Sequence, residues 1–221
     1  MEAELLDTGV PEREALRSLA DLRLVNGWLG GGRGLLRVVR SLLAGVPAPR
    51  LLDVGCGSAD LPHLIVKRSA VPVLAVGVDI KLLHLRQARR GLERVCADVR
   101  QLPFLPESFD VVTASLFLHH FDSSEIAGVL RALFGPARRA LVVSDLQRAS
   151  VPYLFGRAFF PLLFRTPVSV SDGLLSIRRG FTAGELAAAF RDAGIQGVRI
   201  SRSFPYRLIA VAERRPSERG A

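Results

Sequence analysis

The sequence predicts an α/β fold with a seven-stranded, mostly parallel sheet and helices on both faces. From residue 50 onward, short runs rich in β-branched residues alternate with longer amphipathic segments, which is the pattern of successive β-α-β units. Near the C-terminus, two further runs follow each other directly and predict a closing pair of strands. The predicted strands are 50–55, 73–79, 93–97, 109–115, 140–145, 197–203 and 205–212.

The segments between these runs carry helix start and stop signals. Pro62 stands in the first turn of one predicted helix, where a missing N–H costs little. Asp122 begins another helix, and Thr182 with Glu185 forms a capping box before the last one. The predicted helices are 11–28, 34–44, 59–69, 81–91, 122–134 and 183–193.

The chain of 221 residues, 49% of them hydrophobic, predicts a single domain over residues 1–221. The first part, residues 1–46, carries two helices separated by Gly30–Gly32 and is predicted to be a helical cap on the site. Residues 147–180 form an insertion between strand five and the last helix, and we interpret them as a lid.

The two cysteines, Cys56 and Cys96, form no Cys-x-x-Cys pair and have no histidine at ligand spacing. They therefore predict neither a disulfide framework nor a metal site, and they favour a reducing compartment. The acidic N-terminus lacks the basic and apolar regions of a signal peptide, and no apolar run is long enough to span a bilayer. The sequence predicts a cytoplasmic protein.

The net charge of +9 raises the question of a nucleic-acid partner. The arginines are dispersed, however, and short pairs such as Arg89-Arg90 do not form a basic block. We interpret the charge as a solvated surface and expect no nucleic-acid partner.

A glycine-containing turn follows the first strand, in the segment LLDVGCGSAD that ends at Asp60. Gly55 and Gly57 permit a tight turn and the close approach of a nucleotide-like ligand. A dinucleotide site would have glycine or alanine at position 60, because a carboxylate there repels a diphosphate. The segment therefore disfavours NAD.

Carboxylates also follow the next two strands. Asp79 ends strand two, at the distance where a ribose-binding acid is expected. Asp98 follows strand three, where it could accept a hydrogen bond from an adenine amino group. Because parallel strands end at one edge of the sheet, these acids should lie close together there.

These pieces together resemble a class I methyltransferase that depends on S-adenosylmethionine (SAM), in particular the small-molecule group that includes quinone-biosynthesis enzymes. The matching segments are LLDVGCGSAD, VGVD, CADVRQLPF, FDVVTASLFLHHF and FTAGELAAAFRDAG. The resemblance implies the Rossmann-like class I methyltransferase fold and SAM as the cofactor. It implies no metal.

The resemblance also implies which residues hold the cofactor. The acid before the glycine turn and the turn itself would hold the methionine end, the acid after strand two the ribose, and the acid after strand three the adenine. Ala59 is a departure, since the family usually has a third glycine there, and alanine should narrow the turn without abolishing binding. The implied residues are Asp53, Gly55, Gly57, Ala59, Asp79, Ile80, Asp98, Val99 and Ser115.

Methyl transfer from a sulfonium is a displacement in which proximity and orientation can supply most of the acceleration. A base helps when the acceptor is a phenol or an enol, and the candidates are His119 and His120, which follow strand four. Either histidine could instead be a hydrogen-bonded packing element. We interpret His63 and His84 as structural.

The acceptor side of the site has fewer signals. Asp145 ends strand five and is predicted either to line the acceptor pocket or to cap the next segment. Arg178 precedes the last helix, where an arginine could pair with an active-site acid. Aromatic residues in 151–164, including Tyr153 and Phe159, predict an apolar pocket, a helix packed on the sheet, or peripheral membrane contact.

The leading functional hypothesis is methylation of a small, largely apolar acceptor, with O-methylation of a phenolic, quinone-like or polyketide compound first. A polyketide acceptor would place the enzyme in secondary metabolism. The alternatives are an RNA or protein methyltransferase, a NAD-dependent oxidoreductase and a non-catalytic SAM-binding partner protein. We expect a monomer or homodimer, without stable insertion in a membrane.

Overall fold

The computed structural model describes residues 11, 13, 16–18, 21, 32–88 and 91–214. Its strands are β1 (Arg50–Val54), β2 (Leu74–Asp79), β3 (Glu93–Cys96), β4 (Phe109–Ser115), β5 (Ala137–Leu146), β6 (Arg199–Ser203) and β7 (Arg207–Glu213). They form one sheet in the order β3-β2-β1-β4-β5-β7-β6. β1 to β5 are parallel, whereas β7 runs antiparallel to both β5 and β6. The predicted seven-stranded, mostly parallel sheet is confirmed.

Helices cover both faces of this sheet. They are α1 (Gly32–Leu43), α2 (Asp60–Arg68), α3 (Leu82–Arg86), α4 (Ser123–Phe134), α5 (Ser150–Leu163), α6 (Pro167–Arg179) and α7 (Ala183–Asp192), with short 3-10 turns at Val99–Gln101 and Leu118–His120. Side chains alternate along the central strands, so that Leu52 and Val112 pack towards α4 and α7 while Leu51 and Val111 pack towards α1 and α2. The capping box predicted at Thr182 is present, because Thr182 Oγ1 accepts a hydrogen bond from Glu185 N–H.

The helix predicted over 81–91 is much shorter in the structure, where α3 ends at Arg86. Gln87 N–H and Ala88 N–H bond to the carbonyls of residues three positions earlier, which tightens the last turn. Arg94 then donates a hydrogen bond to the carbonyl oxygen of Leu85 (3.1 Å) and satisfies an acceptor at the end of the helix. The chain thereby returns to the sheet sooner than the sequence pattern indicated.

The helical cap predicted over residues 1–46 is described only in part. Most of the helix predicted at 11–28 lies outside the described residues, as do Gly30 and Gly31, while α1 accounts for the helix predicted at 34–44. Of the earlier residues, Asp21 is buried and accepts hydrogen bonds from Arg165 N–H and Ser169 Oγ at the start of α6 (both 2.9 Å). This part of the N-terminal segment packs against the insertion.

The insertion predicted over 147–180 consists of two helices, α5 and α6, which pack against each other. Two glycines make the close approach possible. A methyl group at Gly156 would lie 2.9 Å from the Phe160 ring, and one at Gly173 would lie 3.0 Å from the same ring. The helices thus enclose Phe160, and the role of the pair as a lid stays a prediction.

Candidate active site

The loops at the carboxyl ends of β1, β2, β4 and β5 bring most of the predicted site residues to one edge of the sheet. Ligands bind at this edge in open parallel sheets, because the loops there diverge and leave a crevice. Asp110 lies at the opposite edge, where its carboxylate accepts a hydrogen bond from Arg50 N–H (2.9 Å) and pairs with Arg138. Asp110 is therefore a structural acid.

The turn between β1 and α2 contains three residues with left-handed backbone conformation, at alternate positions. Gly55, Gly57 and Ala59 have φ angles of 66°, 54° and 57°, which glycine adopts without cost and alanine does not. A methyl group at Gly55 would overlap the ring of Phe117, whereas one at Gly57 would meet no heavy atom within 4 Å. The turn is thus packed on one side and open above Gly57, where a ligand can approach the backbone.

Hydrogen bonds fasten this turn to the end of β2. Gly57 N–H donates to Asp79 Oδ2 (2.9 Å), and Cys56 N–H donates to the carbonyl oxygen of Val78 (2.9 Å). Asp79 Oδ1 also accepts a hydrogen bond from Lys81 N–H (2.8 Å) and lies 3.5 Å from His84 Nδ1. Burial acts to raise the pKa of Asp79, but the bonds from His84, Lys81 and Gly57 outweigh it and lower the pKa. Asp79 is therefore an anion whose carboxylate is held next to the backbone of the turn.

Asp53 lies below the turn and is almost completely buried. Its neighbour in the sheet is Thr113, whose hydroxyl donates a hydrogen bond to Asp53 Oδ1 (2.6 Å). Burial raises the pKa of Asp53 to about 7, the bond from Thr113 opposes this shift, and the negative charge of Asp79 adds to it. Two carboxylates therefore lie close enough to repel each other, which favours a ligand that carries positive charge.

This arrangement fits SAM and disfavours a dinucleotide. SAM offers an ammonium group to the acids beneath the turn, and the open space above Gly57 permits close approach of its methionine end. Asp60 stands in the first turn of α2 and accepts a hydrogen bond from Ser58 Oγ (2.7 Å). Its carboxylate occupies the position at which a diphosphate would bind the helix N-terminus.

The residues predicted to bind the nucleoside lie beside Asp79. Ile80 is 62% exposed, so its side chain is accessible, and its contact with a base stays a prediction. Asp98 precedes the 3-10 turn and accepts a hydrogen bond from Arg100 N–H (2.9 Å), and it is also paired with the Arg100 guanidinium. The Arg100 guanidinium bonds to Glu125 as well (2.6 Å), so Asp98 belongs to a surface ion-pair network. Val99 is buried behind it.

The end of β4 leads through half-buried Ser115 into the turn that carries both predicted catalytic histidines. His119 Nδ1 lies 2.6 Å from Asp145 Oδ1, and both side chains are buried. The His120 ring lies against the His119 ring, with centroids 4.5 Å apart. His119 is buried with its ring bonded to the Asp145 carboxylate, whereas His120 is half-buried, so the structure distinguishes two histidines that the sequence left equivalent.

Sequence reasoning placed Asp145 in the lining of the acceptor pocket, or as a cap. The side chain is fully buried, and its Oδ2 atom accepts hydrogen bonds from the N–H groups of Phe117 (3.3 Å), Leu118 (2.8 Å) and His119 (3.3 Å). Burial acts to raise the pKa of Asp145, but the charge of His119, the hydrogen bond from the His119 ring and the bond from Leu146 N–H lower it. Asp145 therefore fixes the histidine turn from below and does not line a pocket.

Arg207 lies close enough to Asp145 for the two charges to interact. Arg207 begins β7, opposite Leu146 in the antiparallel pair, and is buried. Burial lowers the pKa of Arg207 to about 10, and the charge of Asp145 opposes this shift. Arg178 is exposed at the end of α6. The pairing of Arg178 with an active-site acid stays a prediction. Arg207 could not be singled out from the sequence, because it lies far from Asp145 in the chain.

The aromatic residues predicted for the acceptor pocket lie on α5. Tyr153 is half-buried, whereas Phe159 is 46% exposed and stacks on Phe155 with centroids 4.6 Å apart. Their role in binding an acceptor stays a prediction.

Comparisons with known proteins agree with this geometry. Residues 51–138 match the family model described as a methyltransferase domain. A ubiquinone biosynthesis O-methyltransferase from Pseudomonas paraeruginosa is 29% identical over 162 residues, which cover 69% of this chain and 67% of that protein. The chain contains a class I SAM-dependent methyltransferase domain.

Two further comparisons differ in how much of the chain they cover. A malonyl-[acyl-carrier protein] O-methyltransferase from Herminiimonas arsenicoxydans is 41% identical over 78 residues, and the match covers 35% of this chain but only 30% of that relative. The crystal structure of the plantazolicin methyltransferase BpumL, in complex with a triazolic desmethylPZN analog and SAH, has a TM-score of 0.69. It is 14% identical, and the match covers 90% of each chain. That likeness shows the shared fold.

Three residues of the methyltransferase site could not be found by motif. Thr113 lies within a buried strand, Phe117 fills the space beside Gly55, and His84 contacts the carboxylate of Asp79. His84 was interpreted as a structural residue, and its contact with a predicted ribose-binding acid was not foreseen. The signal for Thr113 in the sequence was a hydroxyl residue between apolar neighbours in the segment FDVVTAS.

Among the residues that the structure describes, no cluster of three or more potential metal ligands lies together. Within the same ranges, no helix is long and apolar enough to cross a membrane.

Proposed function

We propose that this chain transfers a methyl group from SAM to an oxygen atom of a small, largely apolar acceptor, such as a phenolic, quinone-like or polyketide compound. The observation that carries the proposal is the buried pair of His119 and Asp145, which is linked to the glycine turn through Phe117. A phenolic hydroxyl becomes a better nucleophile when a base removes its proton. A histidine held by a carboxylate is suited to that task.

His119 and Asp145 divide the work of proton transfer between them. With Nδ1–H donating to Asp145, the other ring nitrogen of His119 is the basic atom that takes the acceptor's proton. Asp145 holds the ring in this tautomer and stabilises the imidazolium that forms. His120, which lies against the same ring, is the alternative base.

The cofactor is held by the residues around the glycine turn. Gly55 and Gly57 admit the methionine end, Asp53 pairs with its ammonium group, and Asp79 binds the ribose hydroxyls. Ile80 offers its exposed side chain to the adenine, with Asp98, Val99, Ala59 and Ser115 completing the site. When bound, SAM supplies an electrophilic methyl group on its sulfonium.

Two observations support the acceptor class and the location. One relative is named as a ubiquinone biosynthesis O-methyltransferase, and the insertion here is rich in aromatic residues. Neither Cys56 nor Cys96 forms a disulfide, as expected for a protein in the reducing cytoplasm.

Calorimetric titration with SAM, with S-adenosylhomocysteine and with NAD tests the cofactor half of the proposal. We expect both SAM compounds to bind wild type and NAD not to bind. Asp79→Ala should abolish binding, because it removes the anion at the mouth of the turn, whereas Asp192→Ala, at an exposed acid at the end of α7, should bind as wild type does. NAD binding without SAM binding would contradict the proposal.

A screen of lipophilic phenols with radiolabelled SAM tests the acceptor half. Transfer to at least one hydroxyl is expected, and it should be lost in His119→Gln while SAM still binds. A chain that binds SAM but methylates no acceptor would instead be a non-catalytic partner protein.

A further inference from the structure

The outward face of α5 is apolar, in contrast to the ordinary surface helix, whose outward face is polar. Its exposed apolar residues are separated alternately by three positions and by one position along the chain, which places them on one side of the helix. We call them the α5 stripe: Val151, Leu154, Phe155, Ala158, Phe159 and Leu162. Leu162, for example, has 79% of its surface exposed. A contiguous exposed stripe of this kind marks an interaction surface.

The opposite side of α5 is already occupied. Gly156 and Phe160 are buried against α6, where the Phe160 ring fills the space between the two helices. Turning α5 to bury its stripe would expose Phe160 and open this contact. The stripe is therefore a stable outward surface of the folded chain.

The charge around the stripe is positive. Residues 146–171 contain no aspartate or glutamate but include Arg157 and Arg165, while the charge of Arg148 is balanced by its ion pair with Glu185. At the end of α5, Arg165 lines an open cavity of about 350 Å³ together with Arg13 and Arg17. An apolar stripe flanked by arginines is complementary to a surface that is negatively charged outside and apolar within.

We propose that α5 docks on the surface of an anionic phospholipid bilayer, with the α5 stripe in the acyl boundary and the arginines at the phosphate groups. Fourteen residues of helix are about 21 Å long, which suits a helix that lies in the plane of the interface. Docking of this kind goes beyond methyl transfer and does not depend on SAM.

A second copy of this chain is the less favourable occupant. In a symmetric dimer the same patch would face itself. The contact would then bring Arg157 and Arg165 near their own counterparts, without a carboxylate on either copy of residues 146–171 to pair with them. An anionic bilayer satisfies both the apolar stripe and the arginines.

The position of α5 relates bilayer docking to the proposed reaction. β5 ends one residue after Asp145, and α5 begins four residues after that strand. α6, which packs on α5, also contacts the turn that carries His119. A bilayer against the α5 stripe would therefore lie near the side from which a lipophilic acceptor reaches the proposed base.

Flotation of the full chain with vesicles tests this proposal without cofactor or acceptor. We use vesicles of phosphatidylcholine alone and of an equal mixture of phosphatidylcholine and phosphatidylglycerol. Wild type should float with the mixed vesicles and bind the neutral ones at least tenfold more weakly. Arg157→Gln should weaken binding to the mixed vesicles about fivefold, with little change on neutral vesicles.

Two double variants separate the stripe from general surface hydrophobicity. Leu154→Gln/Leu162→Gln removes two stripe residues, and Leu74→Gln/Leu105→Gln removes two leucines of comparable exposure elsewhere, Leu105 being 78% exposed. The stripe variant should lose at least tenfold in vesicle affinity, while the control should bind as wild type does. Circular dichroism should show that both variants fold.

Other outcomes overturn the proposal. Equal binding by both double variants, or no flotation of wild type, would show that the stripe is not a lipid surface. Sedimentation that finds a dimer which the stripe variant alone dissociates would identify a second copy as the occupant. Because flotation needs no SAM, a failure here leaves the proposed methyl transfer untouched, and the reverse is also true.

Discussion

Asp145 Oδ1 and His119 Nδ1 lie 2.6 Å apart, in a pair with 0% and 4% of the two side chains exposed. The second carboxylate oxygen binds the backbone of the histidine turn, so one side chain fixes both the ring and the loop that carries it. A merely structural histidine would not require both constraints. This double attachment is the reason for assigning the base to His119 before His120.

Replacement of His119 by glutamine should lower the rate of methyl transfer to a phenol by about 10²- to 10⁴-fold, because the base is lost. SAM affinity should change less than about twofold, since the glycine turn remains. The measurement is kcat at saturating SAM. His63→Gln, on α2, serves as control and should retain full activity, and a larger loss in His120→Gln than in His119→Gln would transfer the assignment to His120.

Asp145→Asn should destabilise the fold at neutral pH. The Asp145 pKa is lower in the folded chain than its ordinary value of 3.8, so its stabilising effect is complete above that pH and is lost as the pH falls below it. Hydrogen bonds to a charged acceptor contribute about 1.5–3 kcal/mol. Urea unfolding should show a loss of this order at pH 7 and a smaller difference from wild type near pH 3. An equal loss at both values would contradict the charged role.

For Asp53, the pH dependence of stability has the opposite sign. Because its pKa rises to about 7 in the folded protein from an ordinary value of 3.8, the folded state retains a proton that the unfolded chain releases. The free energy of unfolding should fall as pH rises between these values, by about 1.4 kcal/mol per unit of pKa shift. Asp53→Asn keeps the acceptor for Thr113 and removes this penalty, so it should be more stable than wild type at pH 8 in the absence of SAM.

The same variant should bind SAM more weakly, since Asp53 is the proposed partner of the ammonium group. Wild-type SAM affinity should strengthen as pH rises through about 7, when Asp53 loses its proton, while the affinity of Asp53→Asn stays level. Calorimetry at pH 6 and pH 8 gives the comparison. A parallel pH dependence in both proteins would exclude Asp53 as the titrating group.

Gly55→Ala and Gly57→Ala should differ, although both positions have positive φ. Each variant carries the backbone cost of about 1–2 kcal/mol for a left-handed alanine. Gly55→Ala must in addition displace the Phe117 ring, whereas Gly57→Ala meets only open space. Thermal unfolding should therefore rank Gly55→Ala as the less stable variant. For Gly57→Ala, the loss in free energy of SAM binding should exceed the loss in free energy of unfolding. Equal melting temperatures would show that Phe117 moves freely.

The cofactor half of the site could be anticipated because its residues are local in the chain. A turn such as LLDVGCGSAD contains its own glycines and acids, and hydrophobic periodicity places each strand end at a common edge. The observed strand boundaries therefore lie within a few residues of the predicted ones, and those of β4 match the predicted 109–115.

On the acceptor side, His119 and Asp145 were named from the sequence, but their contacts could not be anticipated, because they join distant parts of the chain. Asp145 meets His119 across 26 residues, and Arg207 reaches Asp145 from an antiparallel strand whose register no local pattern specifies. The short α3 has a similar cause, since its end is fixed by a hydrogen bond from Arg94 on the next strand.

The Phe117 ring lies where a side chain at Gly55 would be, and the Phe117 N–H is bound by Asp145. One residue thus touches both the turn that admits the cofactor and the carboxylate that orients the base. A shift of the glycine turn on ligand binding would be transmitted to the histidine by direct contact, so the two halves of the site form one mechanical unit. Evolution of a new acceptor preference in this chain would therefore be easiest in α5 and α6, where side chains can change without disturbing that unit.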